Sequence, residues 1–401
     1  MIDFPNISDL CRSTPSRIIM LVIDGLGGLP HPETGKSELE TANLPNLNRL
    51  AQISDCGLTT PVAPGITPGS GPGHISLFGY NPIEHLIGRG VLESLGIGIE
   101  LSDNDVAARG NFCTIDSNGL IVDRRANRIP SNESNQLISL FDQIHIPDAN
   151  VSTYPVKDHR FVFLIRGDDL DGHISETDPQ IIGKAPMEAI ALTPGSEKTA
   201  YIANKFISSA KNLLQSQNTA NMILLRGFSK LPELPNFADS YKLNPAAIAA
   251  YPMYRGLAKL IGMDVLQTGM TFDDELITLN QHFMEHDFFF LHYKPADAAG
   301  EDADFDTKVS KLEQIDSKIP ELIDMEADVL IVAGDHSTPS IMGSHSWHPV
   351  PLMIHSKSTK HCGVDNFTER NCRNGSIGTI SATDVMTLAL AHAGKLSKFG
   401  P

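Results

Sequence analysis

Three apolar runs, each stopping at an acid or an imidazole, constrain this chain more than any other feature. Arg17-Ile18-Ile19-Met20-Leu21-Val22-Ile23-Asp24-Gly25 shows no polar alternation. It reads as a strand buried on both faces, as in a parallel sheet, with Asp24 at its carboxyl end. Residues 327–336 repeat the design and finish on Asp335-His336, and residues 287–292 finish on His292. Residues 349–354 form a fourth such run. Ligands of open α/β sheets gather at the carboxyl ends of parallel strands, so polar groups distant in sequence are expected at one sheet edge.

Helical patterns separate these runs at 44–51, 74–78, 254–260, 305–323 and 382–393. Between 106 and 218 the texture changes. Short β-like runs at 108–115, 120–123 and 160–166 alternate with polar segments and one amphipathic stretch at 197–214. The expected architecture is an α/β core, a mostly parallel sheet flanked by helices, formed by 1–105 and 219–401. Residues 106–218 are expected to be a smaller inserted α+β domain. A length of 401 residues suits about two domains of roughly 100–200 residues.

The net charge of −17 argues against a nucleic-acid partner, which needs a basic face. No apolar run approaches the ~20 residues that span a bilayer, so no membrane partner is expected. Cys11, Cys56, Cys113, Cys362 and Cys372 are odd in number, scattered and free of C-x-x-C spacing, which suits a reducing cytoplasm. A small anionic substrate needs only a local basic cluster. Six of the fourteen arginines (Arg109, Arg124, Arg125, Arg128, Arg160, Arg166) fall within 106–218, either as solvated surface charges or as such a cluster.

Pro68-Gly69-Ser70-Gly71-Pro72-Gly73-His74 holds one serine in a glycine-rich turn that suits the start of a helix. It is either a tight structural turn or a nucleophile at the positive end of a helix dipole. A serine hydroxyl needs a base or a metal to become an effective nucleophile, and this chain offers metal ligands. Asp335-His336 ends an apolar strand, where an unpaired buried carboxylate would be costly, so a metal role fits. Asp297 and Glu301 stand four apart and share one helical face, in a loop that also carries Asp302, Asp304 and Asp306. An acidic solvated loop is the plainer account. His345 and His348 precede the fourth apolar run, and either imidazole is available as a ligand. Gly35-Lys36-Ser37 ends like a phosphate-binding loop, but Pro30 stands where the leading glycine is required, so Lys36 is a loop lysine.

Taken together, Val22-Ile23-Asp24-Gly25, Pro45-Asn46-Leu47, residues 64–74, Gly88-Arg89-Gly90-Val91-Leu92-Glu93, Arg109-Gly110-Asn111-Phe112, Asp123-Arg124-Arg125-Ala126 and residues 251–258 carry a family resemblance. From about residue 17 to its end the chain resembles the archaeal-type, cofactor-independent phosphoglycerate mutases of the alkaline phosphatase superfamily. The resemblance implies an alkaline-phosphatase-like core and an isomerase that interconverts 3-phosphoglycerate and 2-phosphoglycerate through a phosphoserine on Ser70, without 2,3-bisphosphoglycerate. It implies two divalent metals, manganese first, with magnesium, cobalt or zinc as alternatives. Asp24, Ser70, Asp335 and His336 would hold one; Asp297, His345 and Glu301 would hold the other.

The family usually has histidine where this chain has Glu301, and a carboxylate suits hard cations better than imidazole does. The inserted domain is the implied lid. Arg124 and Arg125, then Arg109, Arg160 and Arg226, are the implied clamps for a small phosphorylated carboxylate. Asp123 is the implied acid/base at the glycerate hydroxyls. Three other readings compete: a homoserine-kinase-like branch of the family, a phosphatase whose lid admits water, and a non-catalytic relative. The oligomeric state is left open.

Overall fold

A computed structural model describes residues 7–359 and 363–400, and the chain divides into two compact units. One comprises Met1–Leu86 and Leu234–Pro401; the other is Ile87–Glu233. The strands in chain order are β1 (Ile18–Ile23), β2 (Asp55–Thr60), β3 (Val106–Ile115), β4 (Ile121–Asp123), β5 (Asn150–Pro155), β6 (Arg160–Arg166) and β7 (Met222–Ser229). Then come β8 (Pro245–Ile248), β9 (Asp264–Val265), β10 (Phe288–Tyr293), β11 (Val329–Ala333), β12 (Val350–Ser356) and β13 (Gly378–Ser381).

In the larger unit eight strands form one sheet in the order β13-β2-β12-β11-β1-β10-β8-β9. The uniformly apolar strands take its centre: all six residues of β1 are fully buried, and β1 pairs in parallel with both β10 and β11. Only β12 runs antiparallel to its neighbours, β11 and β2. The fourth apolar run is therefore a strand of the opposite sense from the other three. Its amino end, not its carboxyl end, lies at the edge where β1, β10 and β11 finish, which brings the preceding residues 345–348 to that edge.

The helix expected at 74–78 starts earlier and spans Ser70–Leu77. The helix expected at 305–323 divides into Phe305–Asp316 and Ile319–Asp324. Pro320 has no amide hydrogen to continue the first helix, so a second one begins around it. Gly35-Lys36-Ser37 leads into a helix, Glu38–Thr41, whose first turn is capped by the Ser37 hydroxyl and the Glu40 carboxylate. Cys11, Cys56, Cys113 and Cys372 are buried free thiols, and Cys362 lies outside the described residues.

The smaller unit is built on an antiparallel sheet in the order β4-β3-β6-β5, with β7 also paired to β3. The helix Glu197–Leu214 buries Ala200, Ile202, Ala203, Phe206, Ala210 and Leu214, with the Phe206 ring 4.4 Å from Phe163 of β6. This unit extends beyond the expected 106–218. β7 supplies a strand to its sheet, and the helix Arg89–Gly96 is buried all round from Gly90 to Gly96, so both flanks belong to the insert.

Candidate active site

In the larger unit, parallel register sets the first group of side chains. Ile23 of β1 lies opposite Tyr293 of β10, and Val22 lies opposite Ala333 of β11. The residues just past these strand ends are Asp24, Lys294 and, one further on, Asp335 and His336. Asp24, Asp335 and His336 are fully buried. The turn at Gly25 has φ +68°, and a Cβ there would come within 2.8 Å of the Asp297 Cβ. Ser70 opens its helix with Gly69 as the preceding cap and is almost fully buried. A Cβ on Gly73 would lie 2.2 Å from the carbonyl oxygen of Asp335, so only glycine lets this helix approach the Asp335 loop so closely.

The Ser70 hydroxyl lies 3.1 Å from His336 Nε2. That nitrogen is also 3.4 Å from Asp24 Oδ1 and 3.1 Å from Asp335 Oδ2. His336 Nδ1 is 2.9 Å from the Thr338 hydroxyl, which is 2.6 Å from Asp297 Oδ1. The carboxylate can only accept, so Thr338 donates to Asp297 and accepts from His336 Nδ1–H. Nε2 is left with its lone pair facing Ser70 and the two acids. Burial holds the imidazole below its ordinary pKa, in keeping with a neutral ring.

Asp24 is asymmetric. Its Oδ2 accepts from Tyr254 Oη, from His292 Nε2 at 2.9 Å and from Lys294 Nζ at 3.2 Å. Its buried Oδ1 has no hydrogen-bond partner, and neither has Asp335 Oδ2. His74 Nδ1 does come within 3.1 Å of Asp335 Oδ2, without hydrogen-bond alignment, while lying 2.8 Å from the Ser70 carbonyl. Burial would raise the Asp24 carboxyl, but Lys294, His292 and His336 outweigh it and hold the group well below the carboxylate range. Two desolvated carboxylate oxygens without donors, an imidazole lone pair and a hydroxyl therefore converge. Such a set is costly alone and suits a hard or borderline divalent cation.

A second group adjoins the first. His345 Nε2 is 3.6 Å from both Asp297 Oδ1 and Glu301 Oε1, and its ring stacks on His336 at 3.7 Å between centroids. Its Nδ1 lies 3.0 Å from the Pro68 carbonyl, leaving Nε2 to face the acids. Although burial opposes it, the nearby carboxylates of Glu301 and Asp297 raise His345 to about 9. Ligand atoms of Asp24, Asp335 and His336, and likewise of Asp297, His336 and His345, lie within 4.8 Å of one another. Since Thr338 occupies His336 Nδ1, His336 serves the first group, and Asp297, His345 and the half-exposed Glu301 make up the second.

Tyr254, Lys294 and Thr338 complete this site without having been singled out from the sequence, together with His292 and His74, which close two of the segments read there but were given no role. One signal was available: Lys294 follows β10 directly, as Asp24 follows β1. His348, the other imidazole before β12, bonds the Ser346 hydroxyl at 3.1 Å instead.

The smaller unit carries the arginines. Arg226 of β7 pairs directly opposite Arg109 of β3, and Arg160 of β6 pairs opposite Asn111, two residues along β3. Directly paired residues face the same side of a sheet, so Arg226, Arg109 and Arg160 line one face. Burial, with Arg89, Arg160 and Arg226 acting in the same sense, lowers Arg109 to about 10 against the pull of Glu93. Burial and four arginines hold His159 down at about 3, so its imidazole is neutral. Arg124 is held in a two-point bond to the buried Asp178 at 3.0 and 2.7 Å. Arg226 bonds Glu176 at 3.1 Å. Arg125 is exposed. Asp123 accepts the amides of Arg125 at 2.8 Å and of Asn127 at 2.5 Å, which builds the turn that follows β4.

A family model described as 2,3-bisphosphoglycerate-independent phosphoglycerate mutase matches residues 51–220. A relative from Thermosipho africanus named a probable 2,3-bisphosphoglycerate-independent phosphoglycerate mutase is 49% identical over 396 residues, covering 98% of both chains. One of the same name from Thermus thermophilus is 45% identical over 402 residues, covering 99% of each. Among solved structures, a Pyrococcus horikoshii protein superposes with a TM-score of 0.82 at 28% identity, over 97% of this chain and 100% of that one. The cofactor-independent phosphoglycerate mutase of Thermoplasma acidophilum gives 0.66 at 27% identity, over 94% and 100%. On its near-full-length likeness to these relatives, the chain belongs to the 2,3-bisphosphoglycerate-independent phosphoglycerate mutase family.

Proposed function

We propose that this protein interconverts 3-phosphoglycerate and 2-phosphoglycerate through a phosphoserine on Ser70, without 2,3-bisphosphoglycerate. The observation that carries the reading is the Ser70 hydroxyl at a helix amino terminus, beside a neutral His336 and the unpartnered oxygens Asp24 Oδ1 and Asp335 Oδ2. Asp24, Ser70, Asp335 and His336 would hold one divalent cation, and Asp297, Glu301 and His345 a second, with manganese suited to these oxygen-rich sets. When bound, such ions neutralise charge on the transferring phosphoryl group.

In the forward direction Ser70 Oγ gives up its proton and forms a bond to phosphorus as the bond to the C3 oxygen breaks, and the C3 oxygen takes up a proton, giving glycerate and phosphoserine. The glycerate 2-hydroxyl then takes the group from Ser70, and the free serine is restored. The backbone amides at the start of the Ser70 helix face the phosphoryl oxygens in both steps. The smaller unit is the proposed substrate-binding lid. Arg109, Arg160 and Arg226 on its sheet face, with Arg124 and Arg125, offer forked donors to the carboxylate and phosphate. Asp123 keeps lone pairs beyond its two amide bonds and is the proposed acid/base at the glycerate hydroxyls.

The mutase name on relatives that match nearly the whole chain favours this reaction over a homoserine kinase or a phosphatase. A reducing cytoplasm suits the four buried free thiols, and no helix among the described residues is long and apolar enough to cross a membrane.

The test is conversion of 3-phosphoglycerate, coupled to enolase, with manganese present and no 2,3-bisphosphoglycerate. Turnover abolished by EDTA and by Ser70→Ala is the expected result. Full activity in Ser70→Ala would eliminate the phosphoserine, and inactivity of folded, manganese-loaded protein would eliminate the mutase.

A further inference from the structure

We infer that Lys294 is a positioning residue that couples the two candidate cation groups by fixing one carboxylate from each. The inference rests on the two-cation reading above. The Lys294 ammonium lies 3.2 Å from Asp24 Oδ2, 2.5 Å from Asp297 Oδ2 and 3.1 Å from Tyr254 Oη. An ammonium has three N–H donors, and these three acceptors use them all. Tyr254 donates its own proton to Asp24 Oδ2, so it accepts from Lys294.

The consequence is a division of labour within each carboxylate. Asp24 Oδ2 receives Tyr254, His292 and Lys294, whereas Oδ1 receives nothing and lies 3.4 Å from His336 Nε2. Asp297 Oδ2 receives Lys294, and its Oδ1 points to Thr338 and lies 3.6 Å from His345 Nε2. One ammonium thus holds both Oδ2 atoms away and turns both Oδ1 atoms toward the imidazoles. With its donors occupied, Lys294 acts through Asp24 and Asp297 rather than by touching a substrate.

An alternative role for the same charge is counter-ion: the ammonium would offset Asp24 and Asp297 until a metal arrives, and would compete with it. The two roles predict opposite signs. Removing a competing cation tightens metal binding, whereas removing a clamp loosens it, and loss of a group that orients metal ligands costs about 10- to 100-fold in affinity.

The experiment titrates the metal-free full chain with Mn2+ alone, following free Mn2+ by its electron paramagnetic resonance signal, for wild type, Lys294→Met and Lys294→Gln. Wild type is expected to take up two ions. Lys294→Met should bind both about 10- to 100-fold more weakly, and Lys294→Gln, which restores a donor but no charge, should recover part of the loss. Both variants binding as tightly as wild type, or more tightly, overturns the clamp. If Lys294→Met does not fold, Lys294→Gln and Tyr254→Phe decide the matter, because each weakens the same clamp while keeping a comparable side chain. Wild type that takes up no Mn2+ defeats the two-cation reading itself, an outcome distinct from a defect confined to the variants.

Discussion

At the residue scale, Glu301 is where this chain departs from the histidine usual in the family it resembles. Its carboxylate oxygen sits 3.6 Å from His345 Nε2, and the side chain is about half exposed. A carboxylate favours manganese or magnesium, and an imidazole favours zinc. We therefore expect Glu301→His to raise the zinc-to-manganese ratio retained after dialysis against equal amounts of both metals. A tenfold change corresponds to about 1.4 kcal/mol of differential affinity. An unchanged ratio would remove Glu301 from the ligand set. Thr338 makes a complementary point: one hydroxyl proton, committed to Asp297, fixes the tautomer of His336 and so decides which group that imidazole serves.

At the scale of elements, the site depends on how strands β8 and β10 are held together at their carboxyl ends. Glu275, on the helix Phe272–His282, accepts the amide of Ala250 just past β8 at 3.0 Å and that of His292 within β10 at 3.4 Å. Burial raises its carboxyl from 4.5 to about 8, against the two amide bonds that favour the charged form. The folded chain therefore holds this proton more tightly than the unfolded chain does. Its contribution is complete below about pH 4.5, declines as the pH rises toward 8, and levels off above that. Urea unfolding between pH 5 and 9 should show this decline in wild type and a flatter profile in Glu275→Gln. Equal slopes would assign the decline to other groups.

The apolar strands and most helices were legible in the sequence because uniform or periodic apolarity is a local property. The direction of β12 was not. An apolar run reads the same in either sense, and only its pairing with β11 and β2 shows that its amino end approaches the site.

For the molecule as a whole, each unit has its own apolar core. Phe112, Phe141, Phe161, Phe163 and Phe206 anchor that of the smaller one. We expect residues 87–233, expressed alone, to unfold in a single cooperative transition. They should bind 3-phosphoglycerate without metal, and more weakly as salt screens the arginines. A fragment with no cooperative transition would show that the insert depends on the larger unit for its fold, and a folded fragment with no salt-sensitive binding would remove the arginine face from substrate recognition.

By itself the sequence determined the classes of element and the chemistry at their ends: Asp24 and Asp335-His336 closing apolar strands, Ser70 opening a helix, and arginines gathered in the insert. Those are consequences of local composition. Tertiary structure decided what the groups do to one another. Strand register placed Lys294 beside Asp24 and set Arg109 opposite Arg226. The division of donors among buried oxygens left Asp24 Oδ1 and Asp335 Oδ2 bare. Register and hydrogen-bond assignment depend on partners far apart in the chain, and no local pattern of residues encodes them.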